Sequence, residues 1–421
     1  MSQPADTLKL LDDIVRRERG WLVSSLVSRL GPKHLDLAED VAQDAILKAL
    51  ATWPYKGVPE NPKAWLRRVA GNKAIDRLRR TSRELGLEDN WDPTVGDDTI
   101  ITPSLSDPEL DLMVLCCDPA IAPQDQLYLA LKTVCGFTAS ETAALFFMKE
   151  DALSQRLARA KRKLQVQPGE LAKYPTRFAL KERLPRLLKI IYLMFAWGYA
   201  PRRGSALLLI DLCHEALRLS NALLTKTHGE ASGHHALHSL MLFQLARFPA
   251  RLNDSGELLT LEEQDRTLWE RDTIELAMKH LEHAQRAPAL TRYHVEAGIA
   301  AVHAGASNWS ETDWSSLQNL YEMLVDQIPS LSVKISLSVC LMHNGDLSRA
   351  RDTLDAASEI KGAGTYTGFY LAKAQLALLT NQQSEAQAAF EQARRCPVSR
   401  PVAAHIDQEL TEITIVSSVK R

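Results

Sequence analysis

Apolar side chains recur at three- and four-residue spacing along almost the whole chain, and no alternating Val, Ile or Thr run interrupts them. That period belongs to helices that bury one face, so the sequence predicts an all-α protein. In residues 36–51 (DLAEDVAQDAILKALA), steps of about 100° per residue place Ala38, Val41, Ala42, Ala45, Ile46 and Ala49 on one side. Glu39, Asp40, Gln43 and Asp44 fall on the other, with Leu47 among the acids. This polar side reads either as solvated surface or as a docking face for a basic partner helix.

A second helix is predicted over 63–80 (KAWLRRVAGNKAIDRLRR), where Leu66, Ala70 and Ala74 form an apolar line and Trp65, Arg68, Asn72, Asp76 and Arg79 share another face. Residues 138–164 read as helix, short turn, helix. Thr138 followed by Glu141 has the spacing of a capping box, and Asp151 is placed to cap the second helix. Leu153, Leu157, Ala160 and Leu164 point inward there, which leaves Ser154, Gln155, Arg156, Arg159, Lys161, Arg162 and Lys163 on an exposed basic surface.

Two breaks punctuate the pattern. Residues 83–108 gather Gly, Pro, Asp and Ser with no period and read as a linker. Gln167, Pro168 and Gly169 form the second break, after which Leu- and Ala-rich helices continue to the C-terminus. Within them Ala350, Leu354 and Ala357 align with Ala386, Phe390 and Ala393, 36 residues later. The spacing fits two degenerate helical-hairpin repeats.

A length of 421 residues suits two to four domains at roughly 150 residues each. The longest apolar run, 188–200, contains Lys189 and stops before Arg202, short of the about 20 residues of a membrane span. The charged N-terminus lacks the apolar stretch of a secretory signal, so a cytoplasmic protein with no membrane partner is expected. Six cysteines with no CxxC pair fit a reducing compartment. The net charge of −2 is a sum of unlike blocks: +5 over 1–82, −10 over 83–148, +4 over 149–163 and −1 over the rest. Two basic blocks joined by an acidic one suggest two nucleic-acid contacts on one tether.

Each basic block has matching chemistry. Seven basic side chains in 63–80, interleaved with Trp65 and Asn72, supply phosphate neutralisation, a stacking surface and base-edge hydrogen bonds for single-stranded DNA. The second helix of 138–164 suits a major groove, its first turns near base edges and its later basic residues near phosphates. Catalytic signatures are missing: there is no Walker sequence, GxSxG or HExxH. Gly362, Gly364 and Gly368 read as a turn between helices, and Glu262 and Glu263 as capping residues. His234, His235 and His238 have ligand-like spacing without a completing Cys or carboxylate. Neither an enzyme nor a bound metal or cofactor is expected.

In order and in content, AEDVAQDAILKAL (38–50), NPKAWLRRVAGNKAIDRLRR (61–80) and DALSQRLARAKRKL (151–164) resemble a bacterial extracytoplasmic-function sigma factor of the sigma-70 family. The tail, through LIDLCHEALRL (209–219), LEEQDRTLWER (261–271) and GIAAVHAGA (298–306) with TDW (312–314), is similar to the long tetratricopeptide-like extension of one sigma subgroup. Ala196, Trp197, Gly198 and Tyr199, with Ser336 and Leu337, depart from that subgroup's usual residues. The resemblance implies a region-2 helical bundle over 1–82, the acidic linker 83–108, a region-4 helix-turn-helix over 109–167, a helical extension over 168–285 and repeats over 286–421.

By the same resemblance Glu39, Asp40, Gln43, Asp44 and Leu47 would meet the β′ clamp helices of core RNA polymerase, whose β flap is a further expected contact. Trp65, Arg68, Asn72, Arg79 and Arg80 would read the minus-ten element of promoter DNA, and Ser154, Gln155, Arg156, Arg159, Lys161 and Arg162 the minus-thirty-five element. The extension would take a protein partner. The alternative is a helical-repeat adaptor whose N-terminal hairpins make it a conventional DNA-binding transcription regulator.

Overall fold

A computed structural model describes residues 18–84, 107–166, 177–200, 209–227, 232–256, 259–286, 290–396, 398 and 400–419. Among these residues every regular element is helical and no strand forms. The chain divides into two units, Met1–Met194 with Arg218–His228, and Phe195–Leu217 with Gly229–Arg421.

The first unit begins with helix α1 (18–30), then α2 (Leu35–Lys56) and α3 (Pro62–Glu84). All six residues of the predicted apolar face of α2 are buried, joined by Leu35 and Trp53. Their small side chains let α3 come close with Leu66, Ala70 and Ala74, also buried. Gly57 ends α2: at φ 82° it takes a conformation that L side chains rarely adopt, and its N–H reaches the Trp53 carbonyl at 2.9 Å. Pro62 presets the first turn of α3, and the Asn61 side chain accepts the Ala64 N–H at 3.0 Å.

Helices α4 (Pro108–Cys116), α5 (Pro123–Thr133), α6 (Ala139–Leu145) and α7 (Glu150–Val166) follow, with the first parts of α8 (Arg177–Tyr199) and the end of α9 (Ile210–Thr227). The stretch read as a linker is entered by helix at both ends: α3 runs to Glu84, and Asp107 caps α4 by accepting the Glu109 and Leu110 N–H groups at 3.0 and 3.3 Å. Its middle lies outside the described residues, as does the break at Gln167, Pro168 and Gly169. Within α4 and α5, Leu110, Leu112, Met113, Val114, Leu127, Leu129 and Leu131 bury almost completely. Arg183 of α8 donates to the Val114 carbonyl at 2.9 Å.

In the second unit α10 (Ser232–Ala246), α11 (Arg271–Ala284), α12 (Arg292–Gly305), α13 (Trp314–Gln327), α14 (Leu331–His343), α15 (Leu347–Ser358), α16 (Thr367–Leu379), α17 (Gln383–Arg395) and α18 (Arg400–Val419) pack largely as neighbours in sequence order. The 36-residue alignment extends further than the apolar residues that suggested it, because α14 shifted by that step falls on α16 and α15 on α17. Gly345 (φ 80°) and Asn381 (φ 58°) hold the same left-handed turn. The hydrogen bonds Gly345 N–H to Met342 O and Asp346 N–H to Leu341 O recur as Asn381 N–H to Leu378 O and Gln382 N–H to Ala377 O. Ala350, Leu354 and Ala357 fill one hairpin core, and Ala386, Phe390 and Ala393 the next.

Candidate polymerase and nucleic-acid interfaces

The acidic side of α2 faces basic helices of its own chain. Arg77 of α3 forks across it, Nη1 to Asp40 at 3.1 Å and Nη2 to Asp44 at 2.9 Å, while Lys73 reaches Asp44 at 3.2 Å. The Asp40 side chain remains 66% exposed and Leu47 55%. Along α3, Arg68, Asn72 and Arg79 are exposed on the side away from Leu66, Ala70 and Ala74, and Arg80 is exposed on the flank of that line. Trp65 is half-buried, its ring edge-on to Trp53 at 5.4 Å between centroids, so only part of its surface is available for stacking.

At the other end of the unit, Thr138 and Glu141 form the capping box foreseen from their spacing: Glu141 N–H donates to Thr138 Oγ1 at 3.0 Å and Thr138 N–H to Glu141 Oε2 at 2.8 Å. The turn after α6 passes through Phe147 at φ 52° with its side chain exposed. Helix α7 opens at Glu150, which makes Lys149 its N-cap and puts Asp151 inside the first turn, two residues past the place where it would cap. Leu153, Leu157, Ala160 and Leu164 are buried as their spacing requires.

The basic side of α7 is less uniformly open than the sequence implies. Ser154, Gln155, Arg159, Arg162 and Lys163 are exposed. Arg156 is not: it pairs with Asp125 at 2.6 Å and lies over the Tyr128 ring at 5.1 Å. Lys161 is turned onto α2, where it donates to Glu39 and, at 3.3 Å, to Asp36. Both corrections have one cause, the carboxylates of neighbouring elements, which a projection of α7 alone leaves out.

Around Lys161 the contact widens. Gln165 Nε2 donates to Asp36 Oδ2 at 2.6 Å, and Thr133 Oγ1 donates to Glu39 Oε1 at 3.3 Å. Burial works against the Lys161 charge, yet Glu39 and Asp36 hold its pKa above the ordinary lysine value. Lys132 is pushed down to about 8 by burial first, then by Arg19 and Lys161, with Glu39 and Glu141 opposing. Next to Thr133, α1 approaches the C-terminal end of α5 closely enough that a Cβ at Gly20 would stand 1.8 Å from the carbonyl oxygen of its C-cap, Val134. Asp36, Gln165, Thr133 and Gly20 all escaped the sequence reading. Gly20, a glycine inside a helical stretch, was the available signal.

No group of three or more His, Cys, Asp or Glu side chains is arranged to hold a metal ion among the described residues. In the second unit His235 Nδ1 lies 2.9 Å from His280 Nδ1, and His235 stacks on His283. Burial, with His280, His234 and His235 around it, drives the His238 pKa down to about 3. The thiols of Cys117, Cys213 and Cys340 are raised to about 12, chiefly by burial. No helix among the described residues is long and apolar enough to cross a membrane.

Helical in every regular element among the described residues, and with an acidic helix clasped by a basic one towards its N-terminal end, the chain matches sigma-70 region 2 over residues 14–84, and residues 183–285 match a family of unknown function, DUF6596. Region 2 is the core-polymerase-binding part of sigma-70 proteins, which supports a role in transcription initiation. Over 414 residues the chain is 32% identical to an uncharacterized protein of Rhizobium meliloti (strain 1021), covering 94% of this chain and 96% of that one, and it belongs to the same family. No solved structure matches.

Proposed function

We propose that the protein is an extracytoplasmic-function sigma factor that binds core RNA polymerase in the bacterial cytoplasm and directs promoter-specific initiation. The observation that carries the reading is the region-2 hairpin: α2 offers Asp40 and Leu47 to a partner, while α3, packed behind it, offers Arg68, Asn72, Arg79 and Arg80. Glu39, Asp40, Gln43, Asp44 and Leu47 are the polymerase contacts, and Arg68, Asn72, Arg79, Arg80 and the open part of Trp65 the minus-ten readers. On α7, Ser154, Gln155, Arg159 and Arg162 read the minus-thirty-five duplex, with Arg156 and Lys161 joining them once freed from their present partners.

The helical extension is a built-in regulatory or docking module for a protein partner, with tetratricopeptide-like hairpins over α14–α17. A region-2 match at the N-terminus favours this role over a conventional regulator that binds duplex DNA alone. The test is a pull-down of purified core polymerase followed by footprinting. A stable complex that protects both promoter elements is expected. Failure to bind core, together with tight sequence-specific binding of the free protein to duplex DNA, would favour the conventional regulator.

A further inference from the structure

We infer that the second unit holds an anion-binding site: Arg247, Arg251 and Arg266, gathered around Trp269 and His303, take the phosphate group of a small molecule. This goes beyond the sigma-factor reading and stands or falls without it.

The chain folding back after α10 builds the cluster. Arg247 and Arg251 flank the single turn Phe248–Ala250, and Arg266 begins the turn Arg266–Leu268. Leu259 N–H to Arg251 O at 3.0 Å and Glu270 N–H to Ala246 O at 2.9 Å bring the two turns together. The guanidinium carbons of Arg247 and Arg266 lie 5.3 and 5.2 Å from the centre of the same Trp269 ring. Arg266 is 3% exposed and Arg251 8%. Charges covered to this degree ordinarily face a carboxylate, yet among the described residues none of the three arginines has one. The acids nearest in sequence are turned elsewhere. Asp265 accepts from Thr267 N–H and Oγ1 at 2.9 and 2.6 Å, Glu263 from Thr260 N–H at 2.7 Å and Glu270 from Thr273 Oγ1 at 2.9 Å. Burial lowers the pKa of both Arg251 and Arg266, and Arg247 adds to it in each; only Tyr199 and Cys213 oppose it at Arg251.

Neutral oxygens position these arginines without balancing their charge. Arg251 Nη1 donates to Tyr199 O at 2.7 Å, Arg266 Nη1 to His303 O and Ala306 O at 2.9 and 2.8 Å, and Arg266 Nη2 to Thr312 Oγ1 at 3.1 Å. Arg247 meets only the side-chain amides of Gln244 and Gln264, at 3.3 Å. Three buried nitrogens of the same cluster have no partner: Arg266 Nε, Trp269 Nε1 and His303 Nδ1. A buried donor left unbonded is costly, and an anion relieves all three while balancing the arginines. Guanidinium forks match phosphate oxygens through paired hydrogen bonds. A phosphomonoester carries about −1.5 to −2 at neutral pH, closer to the charge of this cluster than one carboxylate. Because Arg251 and Arg266 are covered and Arg247 is half-buried, the site suits a small molecule entering past Arg247.

Calorimetric titration of the full-length protein tests the site, with inorganic phosphate, ribose 5-phosphate and acetate each added at constant ionic strength in chloride. One phosphate or phosphomonoester per chain is expected, with Kd of about 1 mM or tighter and acetate at least about tenfold weaker. A hundredfold excess of ligand over Kd should raise the melting temperature by about 5 °C. Tighter binding of the free ion or of the monoester supports the site in either case and tells which of the two fills it. Arg247→Gln leaves the carbonyl contacts of Arg251 and Arg266 in place and should weaken binding at least about tenfold. Arg286→Gln, at an exposed cation just past α11, should not. If Arg247→Gln does not fold, the wild-type chain still decides. The His303 pKa, lowered to about 3 by burial and then by Arg247, Arg266 and His343, should rise when phosphate is bound, read by NMR of the labelled imidazole. Absence of binding by both phosphates, equal binding of acetate, undiminished binding by folded Arg247→Gln, or a His303 resonance that phosphate leaves unmoved would each overturn the site.

Discussion

Lys161 of α7 donates to the carboxylate of Glu39 on α2, 122 residues earlier in the chain. A salt bridge between open surfaces contributes little, about 0–1 kcal/mol. This one is mostly covered, joined by Asp36, Gln165 and Thr133, and backed by the close approach of Gly20 to Val134. Its importance lies in which side chains it occupies.

Gly20 gives a prediction with an internal control. Gly20→Ala forces α1 away from the Val134 carbonyl, and overpacking of this kind costs about 1–3 kcal/mol. Gly71→Ala meets nothing nearer than an Arg29 nitrogen at 3.9 Å, and should stabilise α3 by about 0.5–1 kcal/mol through helix propensity. Urea titrations of the two variants check the opposite signs. Equal effects would show that α1 and α5 do not touch.

The two arginines of α7 should separate. Arg159 is exposed, so Arg159→Ala is expected to leave the melting temperature unchanged while weakening use of the upstream element by about 1–3 kcal/mol if it contacts a base through two hydrogen bonds. Arg156 is held by Asp125 and Tyr128. Arg156→Ala should lower stability by about 1 kcal/mol as well, since an aspartate and a ring lose their partner. Thermal melts paired with promoter-variant transcription distinguish them.

Thr138→Ala removes one half of the capping box at α6 and should cost about 1 kcal/mol. Adding Glu141→Ala should cost less than the sum of the two single losses, because the hydrogen bonds are reciprocal. A double-mutant cycle by denaturant unfolding reads this directly.

Acid should destabilise the second unit. The pKa values of His238 and His303 are lowered to about 3, by burial first and then by neighbouring His280, His234 and His235 for the one, and Arg247, Arg266 and His343 for the other. The unfolded chain then binds protons that the folded unit refuses. Stability is full above about pH 6.5 and falls as pH drops from there towards 3, by at most about 2 kcal/mol per histidine at pH 5. Calorimetry across pH 7.5 to 5 should show the decline, reduced in His238→Gln. A flat profile would place His238 in a more polar setting.

Much of this was legible one helix at a time. The apolar faces of α2, α3 and α7 are set by a local period, so Ala38 to Ala49, Leu66 to Ala74 and Leu153 to Leu164 could be placed inside from spacing alone. The same holds for Thr138 with Glu141 and for the 36-residue step between hairpins. Partners across 31 to 129 residues of sequence were not legible. Nothing local marks Asp125 as the acceptor for Arg156, or Asp36 and Glu39 as acceptors for Lys161, since those pairings depend on how α5 and α2 pack against α7. A helical projection therefore placed Arg156 and Lys161 on open surface when packing had covered them.

The most direct measurement is run-off transcription with purified core polymerase on a linear template carrying the promoter upstream of the protein's own gene. The expected result is a discrete transcript that requires both core enzyme and this protein, and that disappears with Asn72→Ala and Arg159→Ala combined. No specific transcript from this or any other promoter, alongside tight and specific binding of duplex DNA by the protein alone, would contradict it.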